Sequence, residues 1–231
     1  MKASAEVENR LLLYGAGWKR VSSELWESPN LRLLYPEILK ISYQVIKAST
    51  TLLELARDQA VRLAPTDPVS AGLAAYLAQH VEEERGHDEW LLQDLAALGI
   101  TPEAAQSVWP SPFVAGMVGA QHYWALHAHP VAILGYIAVL EGEPPEEGFF
   151  LDAARRSGLP ETAFSTLRYH ARVDRGHWQD MRDLLDALPL EPRHLSLIGL
   201  SILHTCGGME SAIKATLDHP LAKMAEAIAR P

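Results

Sequence analysis

The chain has 231 residues, of which 48% are hydrophobic and 21% are charged, and its formal net charge at pH 7 is −9. This composition is typical of a globular protein. It excludes a disordered chain and a small domain held together by disulfide bonds, since Cys206 is the only cysteine. Acidic residues outnumber Lys and Arg, which form no block, so we expect no nucleic-acid partner and no anionic membrane partner.

Apolar residues recur at helical spacing along most of the chain, and no segment shows the two-residue alternation of a strand. Asp67-Pro68 predicts a helix start and Gly99 a helix end, because these residue types cap helices at those positions. Similar boundaries predict two long helices, at about 36–63 and 161–187. Shorter helices are predicted from 102, from 112 to Pro130, from Pro130 to 141 and before Gly158, and a last helix is predicted after 192. We therefore predict one all-α domain spanning residues 1–231, a bundle of about seven helices.

Ala104 to Leu140 contains no Asp, Glu, Lys or Arg, but prolines and histidines interrupt it. Its longest uninterrupted apolar run, Val131 to Leu140, has only ten residues, whereas a membrane-spanning helix needs about 20. We predict buried core helices here and no membrane partner. Acidic residues near the N-terminus occur where an export signal needs an apolar stretch, so we expect a cytoplasmic protein.

Two of the predicted helices carry the same short pattern. The first reads His80-x3-Glu84-x2-His87 and the second reads His170-x3-Asp174-x2-His177, and each has Arg-Gly immediately before its second histidine. Residues at i, i+4 and i+7 lie on one face of a continuous helix. Each helix is therefore predicted to present two imidazoles and one carboxylate as a single stripe.

Imidazole and carboxylate ligands without thiolates favour iron, zinc or manganese. A carboxylate-x-x-His pair on each of two helices, completed by a Glu from each of two others, is also how helical bundles hold two iron ions. Glu141 is the best third source of a carboxylate, because it is the first charged residue after the uncharged stretch. The fourth carboxylate stays open among Glu37, Glu54 and Asp58.

Some assignments stay open at this level. A single such stripe is more often a solvated helix face, and it is the repetition that favours a metal site. Glu83 borders the same face and is the alternative to Glu84, while His80 is either a ligand or a donor that orients one. Tyr123, Trp124 and Tyr136 are candidates for a substrate pocket, although aromatic residues at helical spacing are core residues by default.

Three segments together resemble the heme-oxygenase-like di-iron oxidases, which belong with the thiaminase II and pyrroloquinoline-quinone synthase C group. The segments are the stretch from His80 to Trp90, the stretch from His129 to Gly142 that contains Glu141, and the second histidine pattern. The likeness covers about residues 35–210. It implies a heme-oxygenase-like bundle with one iron held mainly by the His87 helix. It also implies a second iron held by His170, Asp174 and His177, with Glu141 bridging or shared.

The resemblance further implies two iron ions that cycle between Fe(II) and Fe(III), with O2 as co-substrate. The expected activity is oxidation of a small amino- or carboxyl-bearing metabolite, such as a tryptophan derivative or a fatty acid, in natural-product biosynthesis. Nitrile formation, N-oxygenation and oxidative C–C cleavage occur in the wider family. An external electron donor and a homodimer are possible partners. The alternatives are a metal-independent hydrolase or lyase of the thiaminase II type, for which Cys206 is the candidate nucleophile, and a non-catalytic iron-binding or storage protein.

Overall fold

The computed structural model describes residues 2–220, and every regular element in that range is helical. The predicted all-α class is confirmed. Short 3-10 turns at Pro130–Ala132 and Glu161–Phe164 precede two of the α-helices. The α-helices of the described range are α1 (Ala3–Tyr14), α2 (Ala16–Glu27), α3 (Leu31–Leu63), α4 (Pro68–Glu84), α5 (His87–Ala97), α6 (Pro102–Gln106), α7 (Pro112–His127), α8 (Ile133–Glu141), α9 (Glu147–Ser157), α10 (Ser165–Ala187) and α11 (Pro192–Leu217).

Side-chain caps set several of the predicted boundaries. The carboxylate of Asp67 accepts hydrogen bonds from the backbone N–H groups of Val69 and Ser70, and Pro68 occupies the first position of α4. Ser111 caps α7 in the same way, by accepting a hydrogen bond from the N–H of Val114. These caps satisfy N–H groups that the first helical turn leaves unpaired, so the sequence locates these starts correctly.

Helix α3 begins earlier than predicted and includes Pro36. Proline inside a helix removes one backbone hydrogen bond and crowds the preceding turn. Here the turn before it is held by burial, since Leu31, Leu34 and Tyr35 are all in the core. The Tyr35 hydroxyl also donates a hydrogen bond to the carbonyl oxygen of Ala163, at 2.8 Å. Tertiary packing therefore extends the helix through the proline.

The predicted helix from 68 to 98 is two helices, and this corrects the expectation of one continuous stripe. Gly86 has φ of +85°, a left-handed conformation that glycine adopts without steric cost, so α4 ends at Glu84 and α5 begins at His87. The change of direction lets Leu91 and Leu95 pack into a core cluster with Tyr35. By contrast, α10 continues through Gly176.

Helix α8 lies in the centre of the largest core cluster, and its residues from Ile133 to Val139 are all buried. A side chain at Gly135 would collide with the carbonyl oxygen of Ile198 and the side chain of Ser201, so glycine is what lets α8 approach α11 closely. The prediction of buried core helices is thus confirmed for α8, but it is wrong for one side of α7, where Tyr123 and Leu126 are 63% and 48% exposed. None of the described helices combines the length and the apolar character that a membrane crossing requires. The last residue of α8 is Glu141, which this packing delivers to α4 and α10.

Candidate metal centre

The structure brings the sequence-predicted metal ligands together from four helices. One group, the first trio, consists of His80 on α4, Glu141 on α8 and His177 on α10. His80 Nε2 lies 3.2 Å from Glu141 Oε1, and His177 Nδ1 lies 3.3 Å from Glu141 Oε2. One potential ligand atom from each residue lies within 4.8 Å of those of the other two. The three side chains therefore surround a space that a single cation could share.

A second group, the second trio, consists of Glu84, His87 and His170, whose potential ligand atoms also lie within 4.8 Å of one another. His87 Nδ1 is 3.1 Å from Glu84 Oε2. The imidazole of His170 meets that of His87 edge-on, with ring centroids 4.9 Å apart. The break at Gly86 is what positions His87 for this group, because it separates His87 from the axis of α4.

Asp174 lies between the two trios. Its Oδ1 atom is 3.2 Å from His170 Nδ1 and 3.5 Å from His177 Nδ1. The structure thus groups the residues differently from the arrangement that the resemblance implied, in which His170 and His177 served one iron. Residues seven apart on a helix are separated by about 10 Å along its axis, so each histidine faces a different trio and the carboxylate between them reaches both.

Glu83 and Glu84, the two alternatives of the sequence analysis, both reach the centre but at different places. Glu84 belongs to the second trio. Glu83 Oε2 lies 3.7 Å from His177 Nε2 and 3.8 Å from His80 Nδ1, beside the first trio. Both glutamates lie on α4 before the break at Gly86, and adjacent residues of a helix point about 100° apart, so each reaches a different trio.

The candidates for a fourth carboxylate lie outside both trios, and each is paired with a cation on the protein. Glu37 contacts Lys40 at 2.8 Å, Glu54 contacts Arg85 at 3.3 Å and Asp58 contacts Arg57 at 2.8 Å. Of the residues weighed from sequence, Glu83 is therefore the additional carboxylate that the structure places nearest the trios.

The aromatic residues proposed for substrate binding are dispersed. Tyr123 is exposed and its ring contacts His127, while Trp124 contacts His204. Tyr136 is buried, and its hydroxyl lies 2.8 Å from that of Ser49. The residues that line the small cleft of about 20 Å³ beside the first trio are instead Tyr76, Gln79, His80, Glu83, His177 and Asp180.

Sequence analysis missed three of the cleft residues, Tyr76, Gln79 and Asp180, and of these Tyr76 packs against a trio residue. Its ring stacks on the imidazole of His80, with centroids 5.4 Å apart and planes 14° from parallel. Its hydroxyl oxygen is buried and has no hydrogen-bond partner among the described residues. Burial, and then the negative charges of Glu141 and Glu83, raise the pKa of Tyr76, which keeps the phenol neutral. The signal was its position four residues before His80, one turn away on the same helical face.

Four atoms of the trios that could bind a metal ion are buried without a hydrogen-bond partner in the described part of the chain. They are Glu84 Oε1, Glu141 Oε2, His170 Nε2 and His177 Nδ1. Buried polar atoms in native proteins are almost always paired, and leaving one unpaired costs about 1–3 kcal/mol. Imidazole nitrogens and carboxylate oxygens left free in this way fit the ligand preferences of iron. The residues present therefore suit a site for two metal ions.

The pKa shifts of the trio residues also agree with a site suited to metal ions. Asp174 and Glu141 raise the pKa of His177 to about 11. Burial opposes a charge on His80, but Glu141 still raises its pKa, as Asp174 does for His170. Burial also opposes the charge on Glu141, whose pKa is nevertheless lowered by His80 and His177. The carboxylates thus hold protons on the imidazoles, and a metal ion would replace those protons as the balancing positive charge.

An all-α bundle that carries paired histidine–carboxylate groups on facing helices defines a class of helical proteins suited to hold metal in the core. The family model of the iron-containing redox enzymes matches residues 60–206, a segment that includes both trios and Asp174. The chain belongs to this family, and the resemblance seen in the sequence is confirmed. None of the curated proteins is significantly similar to it in sequence.

Solved structures show the same fold. A domain of unknown function with a heme oxygenase-like fold from Shewanella denitrificans OS217 has a TM-score of 0.74 at 15% identity, covering 99% of this chain and 94% of its own. A CADD-like protein of unknown function from Nostoc punctiforme PCC 73102 has a TM-score of 0.69 at 15% identity, covering 94% and 96%. A TenA homolog from Pseudomonas syringae pv. tomato DC3000 has a TM-score of 0.68 at 11% identity, covering 95% and 96%. The fold is therefore heme-oxygenase-like.

Proposed function

We propose that this protein is an O2-dependent oxidase that uses two iron ions to oxidise a small amino- or carboxyl-bearing metabolite in natural-product biosynthesis. The observation that carries the proposal is the pair of trios. They contain four buried nitrogen and oxygen atoms that have no hydrogen-bond partner among the described residues, and Asp174 contacts a histidine of each trio. Membership of the iron-containing redox enzymes supports iron as the metal.

His80, Glu141 and His177 would hold one iron, and Glu84, His87 and His170 the other, with Asp174 placed to serve both. Two ferrous ions, when bound, supply electrons for the reduction of O2. The chain contributes fixed ligand positions and a dry environment, because the buried and uncharged residues 133–139 of α8 lead directly into Glu141 at the centre. Exclusion of water strengthens electrostatic interactions in the site and limits side reactions.

The cleft beside the first trio favours an amino-bearing substrate over a carboxyl-bearing one. Apart from His80 and His177, which belong to the first trio itself, its charged lining comes from Glu83 and Asp180, and neither Lys nor Arg contributes to it. Carboxylates at the entrance attract an ammonium group and repel a carboxylate. The free volume of about 20 Å³ suits a group of the size of water or ammonium, so we propose that the substrate presents an amine here.

Hydrolysis by a cysteine nucleophile receives no support from the geometry. Cys206 is buried on α11 and belongs to neither trio. Burial raises the pKa of its thiol to about 11, which disfavours the reactive thiolate. The likeness to a TenA homolog extends to the fold alone.

The test is anaerobic reconstitution with Fe(II), metal analysis, and stopped-flow mixing with O2 in the presence of candidate amines or fatty acids. We expect two iron ions per chain and O2 consumption that an amine accelerates, both lost in His177→Ala. The matched control is His127→Ala, at an exposed position on α7 outside both trios. Full O2-dependent turnover in His177→Ala would refute the proposal. Iron loading well beyond two ions without organic turnover would favour storage, and acceleration by fatty acids alone would overturn the amine preference.

A further inference from the structure

The two trios differ in what lies beside them. The first trio borders the cleft, whereas the second trio is in contact with an aromatic side chain that reaches the protein surface. The indole of Trp90 packs on the imidazole of His87, with ring centroids 4.3 Å apart. His87 is only 2% exposed, but Trp90 is 36% exposed. One pair of rings in contact therefore links the second trio with solvent.

Two helices hold Trp90 against His87. Trp90 follows His87 by three residues on α5, so the two side chains are neighbours on one helical face. From α10, the ring of Tyr169 meets both of them edge-on, with centroids 4.9 Å from Trp90 and 5.5 Å from His87. Edge-to-face contacts at these distances are a favourable packing of aromatic rings. The indole is thus fixed beside a candidate metal ligand.

Trp90 is better placed than Tyr169 to give up an electron. Indole and phenol rings lose an electron more readily than the other aromatic side chains do. The guanidinium carbon of Arg172 lies 5.8 Å from the ring centroid of Tyr169, and a positive charge at that position opposes the removal of an electron from the ring. Trp90 is also the more closely packed of the two on His87. The favoured electron donor to the second trio is therefore Trp90.

We propose that Trp90 carries oxidising equivalents from the centre to the surface when no substrate is bound. The inference rests on the proposed function, because the oxidant is the iron centre after its reaction with O2. Trp90 gives one electron to the centre through the imidazole of His87, and its indole N–H proton passes to solvent. The iron is reduced by one electron, and a neutral indole radical remains at the surface. Substrate, by contrast, meets the oxidant at the cleft beside the first trio.

The indole radical has two fates that differ in their products. A thiol in solution restores Trp90 by giving it a hydrogen atom, and two of the resulting thiyl radicals combine to form a disulfide. Without a thiol, a second electron leaves Trp90 by the same path and water adds to the ring. The net change is then the loss of two electrons and two protons and the gain of one water molecule, so Trp90 keeps one oxygen atom. That oxygen atom records the path.

The experiment exposes the Fe(II)-loaded full chain to O2 without substrate and locates added oxygen by peptide mass spectrometry. Trp109, in the loop between α6 and α7, is the internal reference because it is 90% exposed. Random attack from solution would therefore modify Trp109 first. We expect Trp90 to gain oxygen several-fold more often than Trp109. Dithiothreitol should suppress this modification, and the metal-free chain should not show it.

Trp90→Phe keeps an aromatic ring on His87 but removes the ring that is readily oxidised. We expect it to bind iron as the wild-type chain does and to lose its O2-dependent activity several-fold faster during exposure to O2 without substrate. The lost activity should coincide with oxygen added to His87 or to its neighbour in the second trio, His170. Trp109→Phe is the matched control and should behave as the wild type.

The outcomes separate this inference from the proposed function. O2 consumption by the iron-loaded chain with as much oxygen on Trp109 as on Trp90 would overturn the inference alone. Oxygen found instead on Tyr76, which stacks on His80, or on Trp178 would also overturn it, because the path would then start at the first trio. A chain that consumes no O2 would refute the proposed function, and the inference would fall with it.

Discussion

His177 Nδ1 and Glu141 Oε2 lie 3.3 Å apart in the interior of the bundle, yet neither atom has a hydrogen-bond partner in the described residues. The two residues are brought from α10 and α8, and the two atoms are close enough to interact but not aligned to bond to each other. Since unpaired buried donors and acceptors are costly, this relationship is one that the proposed metal centre would relieve, because both atoms are free to bind one cation.

Substitution of Glu141 should remove the metal-dependent part of the protein's stability. A ligand at a thousand times its dissociation constant stabilises the native state by about 4 kcal/mol, so Fe(II) or Zn(II) should raise the melting temperature of the wild-type chain. Glu141→Gln keeps the size of the side chain but removes its charge, and we expect it to lose most of this increase. Anaerobic thermal denaturation with and without metal measures the effect.

The matched control is Glu54→Gln, which removes a carboxylate that pairs with Arg85 and belongs to neither trio. It should respond to metal as the wild-type chain does. An unchanged metal response in Glu141→Gln would contradict the assignment of this carboxylate to the centre.

Asp174→Asn should lower the pKa values of two histidines at once in the metal-free protein. The carboxylate of Asp174, 3.5 Å from His177 Nδ1, is the largest cause of the pKa of about 11 at His177, and it also opposes the effect of burial on the pKa of His170. Titration of the histidine ring signals by NMR would measure both shifts. Replacement of Asp94, a buried carboxylate that caps the backbone N–H of Thr166, should leave both pKa values near those of the wild type.

The raised pKa of His177 also sets the direction of a stability change with pH. The stabilisation from the Asp174–His177 pair is fully present below the unfolded pKa of about 6.5 and is lost as pH rises through about 11. The difference in unfolding free energy between metal-free wild-type protein and Asp174→Asn should therefore be largest near pH 6 and shrink above it. A difference that grows with pH would show that the sign is wrong.

Replacing the glycine of each Arg-Gly-His sequence with alanine should change the stability of the protein in opposite directions at the two sites. Gly86 has φ of +85°, where a Cβ is strained, so Gly86→Ala should destabilise the protein by about 1–2 kcal/mol. Gly176 is inside α10 with open space around it, so Gly176→Ala should stabilise by about 0.5–1 kcal/mol. Urea denaturation of the metal-free proteins measures both. Equal effects would contradict the difference in backbone conformation between the two sites.

Cys206→Ser should leave O2-dependent turnover within about twofold of the wild type. The thiol is buried, and its pKa of about 11 keeps it protonated at neutral pH. The steady-state rate of O2 consumption is the measurement, and Cys206→Ala provides a second replacement without a hydroxyl group. Complete loss of activity in both variants, with metal content unchanged, would restore the cysteine-dependent alternative.

The all-α class, several helix starts and the metal-binding candidates could all be predicted from the amino-acid sequence. These features depend on local chemistry: Asp67 and Ser111 cap the helices that follow them, and Glu141 stands out because it follows a long uncharged stretch. Local signals of this kind act over a few residues, so they can be recognised without knowing the packing.

The grouping of these candidates could not be predicted in this way, because it depends on contacts between residues far apart in the chain. Arg85-Gly86 and Arg175-Gly176 have the same sequence, but the chain turns only at the first, where the turn lets α5 bury Leu91 and Leu95 against α3. That turn, together with the rise of α10, places His170 with His87 and His177 with His80. The free energy of burying apolar side chains far apart in the chain outweighs the local preference for a continuous helix, and no short motif records that balance.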